Sequence, residues 1–472
     1  MHIIDLLIFC IYLIAMLGVG VFFLKKNKST DDYYVGGRSL SSLHIGLSVV
    51  ATDVGGGFSI GLGGLGFTMG LSGSWLLFTG LLGAWLSCIF LIPKVSNLAR
   101  KQGFLSFPQF LQYKYNKKVA LVAGAISAIG YLGFTSSQIL AGAKLASSTF
   151  TGLSMDLALL VMGAIAVGYT VLGGLKAVIY TDTVQWIVLM CGLIFVALPF
   201  AYIEVGGIEI IKSSLPPEFL SLNNIKWQQL VNWMFTIIPI WFIGMTLYQR
   251  IYASRDTKTA QKAWFFAGLF EYPIMAFMGV VLGMLARVAL ENNMLTGYNI
   301  SNLDAEMGLP VLLRTILPVG FLGVVLSAYF SAIMSTADSC LMASSGNLIT
   351  DVLKLHNSHQ SLRTSQLLTF LIGGIALVLA YKMTSVLDLM LHSYSFMVSG
   401  MIVPVLMALF LKKPDSTAGM TSMITGGFFT LFLIATGVEL PWQLDANVYG
   451  IILSLISYIL IAWMRGKRAV IQ

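Results

Sequence analysis

The 472 residues are 57% hydrophobic and only 10% charged, with a mean hydropathy of +0.85, values that exclude a soluble globular domain and point to a chain that crosses a membrane many times. The net charge of +8 does not indicate nucleic acid, because the basic residues fall in short clusters between apolar stretches. Cys10, Cys88, Cys191 and Cys340 lie inside apolar stretches without CxxC spacing, which reads as packed thiols and neither a disulfide framework nor a metal site.

Apolar stretches of at least about 17 residues predict spans in chain order. They fall near residues 3–24, 42–70, 72–98, 119–149, 154–172, 177–203, 229–250, 261–289, 315–346, 364–383, 386–411, 418–437 and 447–464, thirteen in all. The first has no basic segment before it and no small-residue cleavage motif, so it is expected to be a retained span. With the N-terminus outside and the C-terminus cytoplasmic, 22 of the 28 Lys and Arg residues fall on the inner side, Arg250 counted among them, as the positive-inside rule requires of an odd number of spans. Between spans three and four, SNLARKQGFLSFPQFLQYKYNKK interleaves basic residues with Phe104, Phe107, Phe110 and Leu111, the pattern of a segment lying on the cytoplasmic membrane face. The polar stretches near 204–228 and 290–314 read as outer loops or surface helices.

Span two carries the most chemistry. From Ala51 to Gly73 it reads ATDVGGGFSIGLGGLGFTMGLSG, with an acid and nine glycines, and each glycine costs a helix about 1 kcal/mol. Unpaired backbone is not tolerated against lipid, so a break at Asp53–Gly57 must be buried in protein or line a cavity, where broken helices build ion and solute sites. Asp53 is then either a cap on a half-helix or part of a site, and the carbonyls of Gly55, Gly56 and Gly57 are free to face a ligand. In span nine Ser335, Asp338 and Ser339 share one helical face, presenting two hydroxyls and a carboxylate to one point; a packing seam with back-bonded hydroxyls is the bland alternative. Asp182, in the run YTDTVQ at the start of span six, is a helix cap or a member of an ion path. Glu271 is a fourth mid-span acid without an obvious partner, and such acids mark function by default. Trp241 and Tyr248, seven residues apart on span seven, are packing aromatics or walls of a solute site; Gln138 and His392 are isolated polar groups that form interhelical hydrogen bonds or reach a ligand. There is no Walker motif and no HExxH, so an enzyme is not expected.

These motifs in this order resemble the sodium/solute symporter family, whose members carry proline, sugars, choline, pantothenate and sialic acid: the run DDYYVGGR (Asp31–Arg38), the Ala51–Gly57 break, LGGLKAV followed by YTDTVQ, Tyr248-Gln-Arg250 closing span seven, and SAIMSTADSCLMASS in span nine. The resemblance covers essentially the whole chain. It implies an all-α integral membrane fold of about thirteen transmembrane helices with a leucine-transporter-type inverted repeat, five helices plus five, the first of each half broken. Residues 1–41 would be a peripheral helix and cytoplasmic loop, 42–203 the first repeat, 204–411 the second, and 412–472 peripheral spans and a cytoplasmic tail. The family's main sodium site, carried over by position, uses the carbonyls of Ala51, Val54 and Ala332 with the hydroxyls of Ser335 and Thr336. A second cation site found in some members maps to Asp182, Ser335 and Ser339, with Asp338 standing where a hydroxyl is expected. The GGR, VGGG and TADS features look like the choline branch, whereas Asp53 looks like the proline branch, whose tryptophan is replaced by Gly57.

The function these readings imply is Na⁺-coupled import of a small polar organic solute, an amino acid, betaine, sugar or carboxylate, by alternating access in a lipid bilayer. The solute is expected at Asp53, Gly55, Gly56, Gly57 and Gln138, with Trp241 and Tyr248 as walls. The alternatives are a proton-coupled or Na⁺-independent carrier, for which Asp338 and Glu271 are the hints, and a membrane sensor on a transporter body, for which no appended signalling domain is expected.

Overall fold

The computed structural model describes residues 2–24, 41–53, 55–150, 152–353 and 360–466; the Asp31–Arg38 run and Val54 lie outside them. Every regular element among the described residues is helical. Ile3–Leu24 (α1) precedes a helix that runs from Ser42 to Asp53 (α2) and resumes from Gly56 to Met69 (α3). A 3-10 turn at Gly70–Ser74 leads to Trp75–Phe90 (α4), then Ile92–Gln102 (α5), Phe107–Lys114 (α6) and Lys117–Thr149 (α7). Met155–Gly192 (α8), Leu198–Glu204 (α9) and Gly207–Ser214 (α10) follow. Trp227–Ile243 (α11) stops at Gly244 and continues as Met245–Ala253 (α12). Thr257–Leu269 (α13), a π-helical turn at Phe270–Met275 and Ala276–Glu291 (α14) come next, then Ala305–Ile316 (α15), Phe321–Asn347 (α16), Gln360–Tyr381 (α17), Val386–Phe410 (α18), Ser416–Thr436 (α19) and Ala446–Met464 (α20).

Among the described residues ten stretches are long and apolar enough to cross a membrane, and two shorter apolar helices, Ile3–Val19 and Met155–Val171, accompany them. The chain is a multi-pass membrane protein. Helical hydrogen bonding is continuous through α8, yet the hydroxyls of Tyr169 and Thr181 are 2.8 Å apart. A straight helix would separate these residues by about 18 Å along its axis, beyond the reach of either side chain, so the axis folds back between them. This bend is why the sequence pattern reads two spans where one helix is drawn.

Local chemistry sets the helix starts. Asn116, Ser154, Asp256, Asp304, Ser385 and Asp415 each accept hydrogen bonds from the first free N–H groups of the helix they precede. Asp256, in an exposed turn, has its carboxyl held below the usual range by the Thr259 amide that it caps.

Close packing follows the glycines. A Cβ on Gly66 would lie 2.1 Å from the Val280 carbonyl, and one on Gly283 would lie 2.0 Å from the Gly63 carbonyl. The backbones of α3 and α14 therefore touch directly, as small residues allow in membrane helices.

Polar ties hold one end of the bundle: Lys144 of α7 reaches Asp304 at 2.5 Å and Glu306 at 2.6 Å, and the Glu306 carboxylate accepts from the Val386 and Leu387 amides at the start of α18, at 3.0 and 2.9 Å. The loop at 221–224 covers the end of α3: the Leu222 carbonyl accepts from the Trp75 indole at 2.9 Å, and the Asn224 side chain donates to the Met69 carbonyl at 3.0 Å. At the other end the aromatics of α6 and the turn before it are buried in protein, with Phe107 and Phe110 against Tyr248 and Phe104 against Tyr252. The segment expected to lie on the membrane face thus turns its apolar side chains onto α12.

Candidate ion and solute site at a broken helix

The break in span two is where the glycines place it. Helix α2 ends at Asp53, and Gly55 is extended (φ −65°, ψ −164°) before α3 begins. The gap is pressed against α16 and α7: a Cβ on Gly55 would lie 2.1 Å from Thr336 Oγ1, and one on Gly56 would lie 2.5 Å from Ala141 Cβ. Only glycine fits there. The last carbonyls of α2, freed by the break, turn to α16. Ser335 Oγ donates to the Ala51 carbonyl at 2.7 Å, and Thr336 Oγ1 donates to the Ala51 and Thr52 carbonyls at 3.2 and 2.8 Å. Ser335 Oγ also lies 3.0 Å from the Ala332 carbonyl. Five oxygens from two helices therefore meet in a buried spot, all hard donors of the kind that unwound transporter helices use for Na⁺. The Thr52 carbonyl is a member that the sequence reading lacks; Val54 lies outside the described residues. Gln138 Oε1 accepts from the Gly56 amide at 2.7 Å, so this isolated glutamine satisfies the first orphan N–H of α3. Gly57 lies in the first turn of α3.

One helical turn along α2 and α16 lies a second polar cluster. The Arg250 guanidinium, on α12 and fully buried, donates to Asp182 Oδ2 at 3.2 Å, Ser339 Oγ at 2.6 Å, Thr52 Oγ1 at 2.7 Å and Ser48 Oγ at 3.1 Å. Ser48 in turn donates to Asp182. Asp338 Oδ1 accepts from Thr170 at 2.6 Å, while Asp338 Oδ2 and Asp182 Oδ1 have no partner among the described residues. Asp182 and Ser339, expected around a second cation, are thus gathered around the chain's own guanidinium. Arg250 is correspondingly no inner-loop residue; it ties α2, α8, α12 and α16 together. Sequence reasoning counted it as topology because it closes an apolar span, and its signal was the reverse one: a buried acid at Asp182 demands a cation.

The third group is Asp53 and Glu271. Both are buried, and their carboxyls lie close enough to interact. Among the described residues no N–H or hydroxyl group donates to Asp53 Oδ2 or to either Glu271 oxygen. Glu271 sits in the π-helical turn between α13 and α14, packed on Gly80 of α4, and Trp241 packs on Gly83 of the same face. Tyr248 is placed elsewhere. Its hydroxyl donates to the Phe242 carbonyl at 3.0 Å and its ring stacks on Phe107, so among the described residues no hydrogen bond joins it to Asp53 or the Gly55–Gly56 backbone. His392 lines a cavity with Asp388 and Asp445, and no residue of the break is among that cavity's lining.

A buried, interrupted helix whose carbonyls meet hydroxyls of a neighbouring span is the kind of arrangement in which membrane transporters hold ions. The fold has counterparts among solved structures. A substrate-bound, outward-open Na⁺-coupled sialic acid symporter superposes with a TM-score of 0.80 at 21% identity, covering 99% of each chain, and a nucleobase-cation-symport-1 family transporter in a closed conformation does so with a TM-score of 0.59 at 12% identity, covering 93% of this chain and 96% of the other. In sequence, the osmoregulated proline transporter of Bacillus subtilis is 26% identical over 97% of this chain and 94% of its own, and the sodium/glucose cotransporter of Vibrio parahaemolyticus is 26% identical over 96% and 89%. The family model of the sodium:solute symporter family matches residues 33–426, and the chain belongs to that family. It is a sodium-coupled symporter and its coupling ion is Na⁺.

Proposed function

We propose that this protein imports a small polar organic solute together with Na⁺ by alternating access, the ion held between the Ala51, Thr52 and Ala332 carbonyls and the Ser335 and Thr336 hydroxyls. Val54 is assigned to the same shell by position. The observation that carries this reading is the meeting of Ser335 and Thr336 with the freed carbonyls of α2. A cation there exchanges three weak hydrogen bonds for ion–oxygen contacts and so fastens α2 to α16, which ties ion binding to the arrangement of the two halves. Two interruptions, at Asp53–Gly56 and at Gly244, support the inverted repeat of spans two to six and seven to eleven within thirteen spans, N-terminus outside. The solute is assigned to the neighbourhood of Asp53, Gly55, Gly56, Gly57, Gln138 and Trp241; Tyr248 acts through its packing on α6. Each positive charge moved inward across 100 mV contributes about 2.3 kcal/mol to uphill import.

A second reading rests on the Arg250 cluster: Asp182 pairs with the Arg250 guanidinium, while Asp338, buried on α16, accepts from Thr170 and has no ion-pair partner among the described residues. A proton or a second cation balances the extra acid. Uptake of a solute panel into proteoliposomes, with a Na⁺ gradient, a proton gradient or neither, separates the two readings: accumulation driven by Na⁺ alone supports the first, and accumulation driven by protons without Na⁺ overturns it.

A further inference from the structure

The basic segment between α4 and α7 takes no part in the sodium cage. Residues 91–118 carry six Lys and Arg residues and no Asp or Glu. Lys94 of α5 and Lys114 at the end of α6 line one cavity of about 230 Å³, which Ala408 and Leu409 of α18 complete. No carboxylate lines that cavity, and among the described residues no Asp or Glu forms an ion pair with Lys94. Lys94 Nζ donates to the Leu409 carbonyl at 2.8 Å, one of the orphan acceptors at the end of α18, and stands 4.3 Å from the centre of the Phe410 ring. Capping α18 explains the place of Lys94 but not why a second lysine is brought to the same cavity. Burial, and after it the charge of Lys94, hold the Lys114 ammonium below the usual lysine range. Two cations on one cavity repel each other, and an anion seated between them turns that repulsion into attraction.

The depth of the cavity selects the anion. The apolar stretch Ile60–Phe90 stops just before Lys94, Val386–Phe410 stops just past Leu409, and Lys117–Thr149 begins just after Lys114. Three spans end around the cavity, which places it at the level of lipid headgroups. Apolar surface of the kind that faces lipid runs up to it: Ile89 and Phe90 are 62% and 42% exposed, and the Phe90 ring packs on Phe410 at 6.2 Å. Leu98 and Phe110 give the cavity itself apolar walls. A free phosphate ion gains nothing from such walls. A lipid covers them with its glycerol and acyl carbons while its phosphate meets the lysines.

We propose that Lys94 and Lys114 bind the phosphate of an anionic membrane lipid, seated where α5, α6 and α18 meet, with its acyl chains along Phe90 and Phe410. The bound lipid ties α6 to α18, and α6 in turn holds α12 through Phe107 and Phe110 on Tyr248. The site is separate from the sodium cage, since no residue of α2, α3 or α16 lines the cavity.

The test places the full chain in nanodiscs of phosphatidylcholine carrying increasing fractions of phosphatidylglycerol and reads the thermal unfolding midpoint. The expected result is a midpoint that rises and saturates with phosphatidylglycerol, and no rise when inorganic phosphate is added to phosphatidylcholine discs. Lys94→Gln and Lys114→Gln should each raise the fraction of phosphatidylglycerol needed for half the effect about fivefold to tenfold, the size of one lost lysine contact. The exposed pair Lys117→Gln/Lys118→Gln, outside the cavity, should leave it within about twofold, because scattered surface charge is screened. An equal midpoint in both lipids overturns the proposal, as does a full lipid response in Lys94→Gln/Lys114→Gln or an equal loss in Lys117→Gln/Lys118→Gln. The same rise with inorganic phosphate overturns the lipid as occupant and assigns a free anion. If Lys94→Gln does not fold, because α18 loses its cap, Lys114→Gln and the response of the wild-type chain decide.

Discussion

The guanidinium of Arg250 lies 3.2 Å from the carboxylate of Asp182, each fully buried and each on a different element. The pair fastens α12 to α8 one turn from the break, with the hydroxyls of Ser48, Thr52 and Ser339 completing the acceptor set of the guanidinium.

Removing one side of such a pair leaves a bare buried charge, which costs about 3–5 kcal/mol. Arg250→Ala and Asp182→Asn should each lower the unfolding midpoint strongly, while the double variant should be less damaged than the sum of the two. Arg250→Lys should recover only part, because a single ammonium cannot span Ser48, Thr52 and Ser339 at once. Additive losses in thermal unfolding would argue that the two residues act independently.

Sodium affinity should follow the hydroxyls of α16. Ser335→Ala and Thr336→Ala should each raise the Na⁺ concentration for half-maximal uptake about tenfold, whereas Thr336→Ser, which keeps the oxygen, should change it little. Equal Na⁺ dependence in Thr336→Ala and the wild-type chain would remove Thr336 from the cage.

At Gly55 the argument is steric. A methyl group there meets Thr336 Oγ1 at 2.1 Å, so Gly55→Ala must push α2 away from α16. The expected outcome is loss of Na⁺-dependent stabilisation in a chain that still inserts, checked by comparing unfolding midpoints in NaCl and KCl.

The tie at Glu306 is testable through backbone protection. Glu306→Gln weakens the acceptors of the Val386 and Leu387 amides and the pairing with Lys144. Hydrogen exchange at the start of α18 should speed up about tenfold or more, for a loss of about 1.5–3 kcal/mol. Unchanged protection there would assign the tie to apolar contacts.

Much of the site was legible in the chain. Gly55, Gly56 and Gly57 beside Asp53 announce a break because glycines weaken a helix and an acid needs a partner, and Ser335 with its neighbours announces a polar face because helical spacing is fixed. What was not legible depends on meetings across sequence: Arg250 and Asp182 are 68 residues apart, and nothing local separates a span-closing arginine from one that turns inward. Tyr248 shows the opposite error, since helical spacing from Trp241 gives a shared face but not which neighbour that face meets. The Thr52 carbonyl could not be read at all, because every residue has one and only the fold selects which are freed.

The seam between α3 and α14 carries one more consequence. With Gly66 seated on the Val280 carbonyl and Gly283 on that of Gly63, no side chain stands between the two rods to act as a bearing. A methyl group added at Gly283 would force the two helices apart, and turnover is expected to fall although no atom that meets the ion is altered.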